Sequence, residues 1–365
     1  MADTLYFSRD TKVFVEIGNN VWEIPVLDGF SFSQATNTSE ITLNEMSDTS
    51  GNSRRGRRMF NDSYAPAEWS FSTYARPFAS AGSGAGAADG AAKHHAVEEV
   101  LWALMVGDAA YSSNTFTGFT ADTTDLDISF ANSNKTSLGT ANFYFQLGGA
   151  SSGNKTVYKI TGCVVNEASL DFDIDGIATI NWSGFGKIIE EGASTPNATV
   201  YEAVASTTNF IRNRLTSLAI TTSEGGNHPA TYDLVLTGGN VTISNNITFL
   251  TPETLGVVNQ PIGHVTGTRS VGGNFTCYLN SEDNSSAELF ENLIEDTDMI
   301  TNDFELVFKV GGASGTPRVE LNMASCHLEI PTHSIEDVIS LETNFHALPS
   351  TIEGTDELAI KYVGA

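Results

Sequence analysis

Asp171-Phe-Asp-Ile-Asp175-Gly176 sets carboxylates at alternate positions ahead of a glycine, the opening of a calcium-binding loop whose oxygens converge on one ion. A working loop also needs a bidentate acid at position 12, and here that position is Trp182. Leu170, Phe172 and Ile174 alternate with the aspartates, which is the pattern of a half-buried strand with a wet acidic edge. Asp175-Gly176 then reads as the two-residue turn of a hairpin. Gly149-Ala-Ser-Ser-Gly153 satisfies G-x-S-x-G, but a nucleophile elbow needs a strand turning into a helix, and this segment joins two strand patterns. His94-His95 and the scattered His228, His264, His327, His333 and His346 lack metal-ligand spacing. No acid, base or metal set converges, so the chain reads as non-enzymatic, with no catalytic, cofactor-binding or metal-binding residue.

Arg54-Arg-Gly-Arg-Arg58 is a basic knot in an acidic chain of net charge -26, with 44 acidic against 18 basic residues. It has three readings: a solvated loop, ion pairing with an acidic patch on a neighbouring subunit, or a nucleic-acid contact. Arginine suits bidentate carboxylate pairing, and no aromatic residues interleave the knot to support nucleic-acid binding. The overall charge also opposes such binding, because affinity for phosphates rests on Lys and Arg. The corresponding stretch further along, about 251–270, carries only Arg269.

The element that organises the chain occurs twice. FQLGGASSGNKTVYKITGC (145–163) and FKVGGASGTPRVELNMASC (308–326) share an apolar strand, a Gly-rich turn and a second strand ending on Cys. Other features recur in the same order. Gly29-Phe-Ser-Phe-Ser33 matches Asn240-Val-Thr-Ile-Ser244, Phe71-Ser-Thr-Tyr74 matches Phe275-Thr-Cys-Tyr278, and Ile180-Asn-Trp182 matches Thr343-Asn-Phe345. Each half has one helix pattern. Val97, Val100, Leu101, Leu104 and Met105 form one apolar stripe. Ser285 and Glu288 form a capping box ahead of Leu289, Phe290, Leu293 and Ile294.

A chain of 365 residues suits two cores, each burying roughly 70% of its unfolded surface. No stretch approaches the roughly 20 apolar residues that span a bilayer, and the N-terminus lacks a secretory pattern. The 3 cysteines, two at equivalent repeat positions, suggest buried small hydrophobes made in a reducing compartment. The expected order is a first module (1–190), a linker (191–205), a second module (206–348) and a C-terminal arm (349–365). Residues 36–66 read as a long polar connection, 79–92 as a Gly/Ala/Ser surface loop, and 107–142 as an insertion particular to the first half.

The arrangement resembles the tail tube proteins of long-tailed bacteriophages. The likeness rests on the opening strands through Val26-Leu-Asp-Gly-Phe-Ser-Phe32, the long connection at 36–66, Phe71 to Tyr74, the single helix at 96–106 and the closing strands to Trp182. It implies a mainly β fold of two tandem tail-tube-like β-sandwich or half-barrel modules, each with one flanking α-helix. Rings in that family are commonly hexamers of single modules, so two modules per chain imply homotrimers forming pseudo-hexameric rings that stack into a hollow conduit for DNA delivery. The implied partners are other copies of the chain, a tape measure protein in the lumen during assembly, tail terminator and baseplate proteins at the ends, and a sheath in contractile tails. Double-stranded DNA would pass through without specific binding, and the chain would not insert in a membrane. Synthesis would be in the bacterial host cytoplasm, with the virion tail as destination. Arg54, Arg55, Arg57, Arg58 and Arg269 are the candidates for contacts between subunits or rings. The competing readings are a tube-like protein of the baseplate or tail end, and a tandem β-sandwich carbohydrate-binding or adhesion module. The last would need exposed Trp or Tyr platforms, whereas the four Trp residues sit in apolar-patterned segments.

Overall fold

Alternating apolar and polar residues become strand over most of the chain. The structure is a computed structural model and describes residues 6–41, 49–52, 57–79, 93–107, 110–112, 115–130, 138–148, 155–192, 194–197, 209–222, 229–295, 302–312 and 316–364. The first half contains β1 (Lys12–Ile17), β2 (Asn20–Ile24), β3 (Ser31–Glu40), β4 (Met59–Tyr74), β5 (Pro77–Ala79), β6 (His94–Ala96) and helix α1 (Glu99–Val106). Four short strands follow: β7 (Tyr111–Ser112), β8 (Thr115–Phe116), β9 (Phe119–Ala121) and β10 (Asp125–Ser129). They occupy the insertion. The half closes with β11 (Ala141–Leu147), β12 (Thr156–Asp173), β13 (Thr179–Gly186) and β14 (Ile189–Glu191).

The second half contains β15 (Ser217–Thr222), β16 (Thr231–Asp233), β17 (Leu236–Ser244), β18 (Thr248–Leu250), β19 (Gly263–Val265), β20 (Ser270–Tyr278) and helix α2 (Ser286–Glu295). It ends with β21 (Phe304–Val310), β22 (Arg318–Leu328), β23 (Thr332–Ser334), β24 (Ser340–Ala347) and β25 (Ala359–Val363). The fold is mainly β, and 19 of these strands form one hydrogen-bonded network.

Neighbour order is alike in the two halves. Pairing runs β2–β1–β11–β12–β13–β4–β3 in the first and β16–β15–β21–β22–β24–β20–β17 in the second. The repeated hairpins also share a bulge: Ala141 faces Cys163 and Phe143 faces Ile160, while Phe304 faces Cys326 and Leu306 faces Met323. One extra residue at that point bends each long strand, letting it serve two sheets. All three cysteines are buried and unpaired.

A register difference appears at the end of the pattern. Phe71 lies opposite Trp182, but Phe275 lies opposite Thr343 and not Phe345. The last sequence match is therefore displaced by two residues. A shift of two keeps every side chain on its own face of the sheet, so the core tolerates it.

The halves meet edge to edge, with β12 pairing β17 from Glu167 opposite Ser244 to Asp173 opposite Gly238. Rings cross the junction too, Phe172 standing 5.2 Å from Phe308. The C-terminal arm is part of the sheet: β25 lies between β22 and β10, joining the second half to the insertion of the first.

Three local expectations change. Much of 36–66 is not loop, because β3 continues to Glu40 and β4 starts at Met59. Those strand extensions bury little, so they carry no apolar alternation to read. Helix α1 is buried on every side, beyond its single stripe. The capping box at α2 is displaced by one residue: the Asn284 N–H, not that of Ser285, donates to the Glu288 carboxylate at 2.6 Å. Asn284 sits at φ 59, which turns its N–H toward the helix. The tract at 80–92 lies outside the described residues.

Candidate functional site

The strands β3, β4, β13, β12, β17, β20, β24 and β23 form one unbroken antiparallel run across both halves. One side of it is core: Phe71, Trp182, Ala168, Leu170, Val241, Ile243, Phe275 and Phe345 are buried. Strand alternation puts the intervening residues on the other side. From β3 to β23 these include Ser31, Ser33, Glu68, Ser70, Ser72, Asn181, Ser183, Glu167, Ser169, Asp171, Asp173, Asn240, Thr242, Asn274, Glu342, Asn344 and His346. No Lys or Arg stands on this face among the described residues.

Hydrogen bonds tie the face together across strands. Ser31 and Ser70 hydroxyls meet at 2.8 Å, Ser72 donates to Asn181 Oδ1 at 2.6 Å, and Asn181 Nδ2 donates to Asp171 Oδ2 at 2.7 Å. Ser169 donates to Asp171 Oδ1 at 3.2 Å and itself accepts from Thr242 at 3.1 Å, which carries the chain of bonds over the junction between halves. Beyond it Asn274 donates to Glu342 at 3.0 Å, and Asn344 to Glu329 at 2.9 Å. The amide of Asn344, then the ring of His346, hold the Glu329 carboxyl below its ordinary range. The result is a surface of short, pre-bonded amides and hydroxyls with fixed negative charges. Such a surface orders water and repels a polyanion, since phosphate binding requires cationic side chains.

Asp171, Asp173 and Asp175, expected on a wet strand edge, have separate partners. Asp173 accepts from the Ile174 N–H at 2.6 Å and Asp175 faces Arg214 at 3.4 Å. The tip is longer than the expected two-residue turn, spanning 174–178. Ile177 bridges to Arg212 and the Ala178 N–H donates to the Ile211 carbonyl, so a distant segment holds the tip open. Gly149 to Gly153, with Ser151, lie outside the described residues; the flanking β11 and β12 are antiparallel strands, as a turn requires. His95 is a core residue bonded at 2.8 Å to Glu99. All four Trp side chains are buried, leaving no Trp platform for a sugar.

Arg54 and Arg55 lie outside the described residues. Arg57 and Arg58 are exposed at the start of β4, with the Arg57 guanidinium donating to Glu40 across the hairpin. Arg269 stands apart from them. It donates to Glu357 at 2.9 Å and to the Thr355 carbonyl at 3.0 Å, and it stacks over Phe130 at 4.8 Å. Its guanidinium holds the C-terminal segment.

A family model described as phage tail tube protein matches residues 35–347. The chain belongs to the phage tail tube protein family. It is 31% identical to the tail tube protein pb6 of Escherichia phage T5 over 368 residues, covering 97% of this chain and 75% of that protein. It is accordingly a structural tail tube protein of a virion, not an enzyme. No helix among the described residues is long and apolar enough to cross a membrane.

One cluster in this tail tube protein escaped the sequence reading. The Tyr362 hydroxyl of β25 donates to Glu98 at 2.5 Å and accepts from Trp102 Nε1 at 2.8 Å. The Arg76 N–H also donates to Glu98, and the Arg76 guanidinium reaches Asn209 at 3.1 Å. Burial pushes the Glu98 carboxyl up to about 7, against the pull of the Tyr362 hydroxyl and the charge of Arg76. The cluster fastens the end of the chain to α1. The alternation of Ile360 and Tyr362 marks the strand, but nothing local pairs it with Glu98.

Proposed function

We propose that three copies of this chain form a ring of six like modules whose continuous inner sheet lines a DNA conduit, and that such rings stack into the tail tube. The observation that carries this reading is the junction of β12 with β17. It joins the two halves laterally by strand pairing, and the same run ends on two edges that are unpaired among the described residues: β3 on one side and β23 on the other. Repeating the internal junction between chains pairs β23 of one copy with β3 of the next. Closing the ring removes the open edges, which otherwise invite uncontrolled association.

The modules are the first (1–190) and second (206–348), with 191–205 as linker and 349–365 as an arm. The cation-free face lines the lumen, where its carboxylates keep DNA from adhering. Stacking uses identical upper and lower faces, so it continues along the axis. Arg54, Arg55, Arg57 and Arg58, which lie in sequence between β3 and β4, contact the next ring; Arg269, grouped with them in the sequence, serves inside the chain instead. The tape measure, terminator and baseplate contacts are those expected for a tube of this kind.

Electron microscopy of the purified full chain tests the reading. Rings with true threefold symmetry are expected, and a monodisperse monomer in every preparation rejects it. Reversing the charge at Arg54, Arg55, Arg57 and Arg58 shortens tubes while rings and far-UV circular dichroism stay unchanged; tubes of full length in that variant reject the stacking contact.

A further inference from the structure

The junction inside the chain has a second component besides strand pairing. The β12–β13 tip is clasped by the segment leading into β15. The Ala178 N–H donates to the Ile211 carbonyl at 2.9 Å, the Asn213 N–H to the Gly176 carbonyl at 3.2 Å, and Arg214 faces Asp175 at 3.4 Å. Ile211, at the centre of the clasp, is 0% exposed.

The first half carries the same clasp without a tip in it. Val13 faces Phe145 as Leu218 faces Phe308, so Arg9 holds the position of Arg214 and Tyr6 that of Ile211. Both arginines sit in a 3-10 turn, Ser8–Asp10 and Asn213–Leu215, each closed by an N–H of Thr11 or Thr216 bonding back to the first residue. Tyr6 and Phe7 are 49% and 65% exposed. Beside them lies a cleft of about 540 Å³ walled in part by Arg9, Lys12, Val26, Phe30 and Phe32.

The β23–β24 tip is the counterpart of the clasped β12–β13 tip, and it stands open. Ile335 and Val338 are 79% and 59% exposed, with Glu336 and Asp337 exposed between them. We infer that the tip at 335–339 of one copy plugs the Arg9 cleft of the next copy, its Ile335 and Val338 entering the apolar wall and an acid at 336 or 337 pairing with Arg9. Glu23 and Asp28 also line the cleft and Lys12 is taken by Glu23 at 2.9 Å, so Arg9 is the cation that the tip's acid would meet, and the internal clasp supplies the geometry. The inference rests on the ring reading above and adds the residues that select the neighbour.

The test uses the full chain. A mixture of Arg9→Cys and Asp337→Cys proteins is oxidised mildly and run on a non-reducing gel; the three native cysteines are buried. A covalent dimer, one chain of each variant, is expected in the mixture and absent from either variant alone. Separately, Arg9→Glu is expected to raise the concentration for half-maximal ring formation at least tenfold, and Arg9→Glu combined with Glu336→Arg and Asp337→Arg to recover most of that loss. Wild-type rings together with no cross-link and an unshifted Arg9→Glu midpoint overturn this inference and leave the ring reading standing. A wild type that never forms rings overturns both.

Discussion

The two helices occupy the same place in the strand order of their halves and live in different environments. Every residue of α1 is buried, including Glu99, whereas α2 buries Ser286, Leu289, Asn292 and Leu293 and leaves Ile294 exposed. The difference comes from what covers them. Over α1, β25 brings Tyr362 against Trp102 and Glu98, and Asn245 donates to the Met105 carbonyl at 3.0 Å. Helix α2 is the ordinary amphipathic case, packed on one side and wet on the other. Helices at like places in the strand order thus differ in exposure when one of them is covered, because a covered helix can be apolar all round.

The contrast can be broken most forcefully at Trp102. Trp102→Ala removes a fully buried ring packed edge-to-face against Trp182 at 4.8 Å, and should cost about 3–5 kcal/mol by denaturant unfolding. Ile294→Ala on the exposed side of α2 should stay within about 0.5 kcal/mol. Equal losses at the two sites would remove the distinction.

A finer probe is the pH response of the lid. Glu98 titrates near 4.5 when solvated and at about 7 in the fold, so between those values the folded state holds a proton that the unfolded state has released. Stability from this group is therefore present at low pH and lost as pH rises through that window, by roughly 1–3 kcal/mol. Glu98→Gln should flatten that part of the stability profile, because the amide oxygen can still accept from Tyr362. An unchanged slope between pH 4.5 and 7 in the variant would assign the pH response to other groups.

Legibility in the sequence followed locality. The hairpins at 145–163 and 308–326 were readable because alternation, a Gly-rich turn and a terminal Cys all lie within one segment. The β3–β4 extension reads as loop in the sequence because strands that touch no core have no apolar face to show. Asp175-Gly176 reads as a tight turn because the clasp at 211–213 lies far along the chain. The cation-free face was present in the sequence as serines, asparagines and acids, but its unity was not: Glu68, Asp171, Asn240 and Glu342 come from four separate strands.

By itself the sequence determined the strand periodicity, the recurrence of one hairpin pattern and the acidic balance, since each depends only on residue type and spacing. The tertiary structure alone decided that β12 pairs β17, that β25 crosses back to α1, and that the run ends on β3 and β23, unpaired on their outer sides among the described residues. Those are pairings between distant segments. Main-chain hydrogen bonds are nearly the same for any sequence, so which strands meet is settled by how the whole core packs.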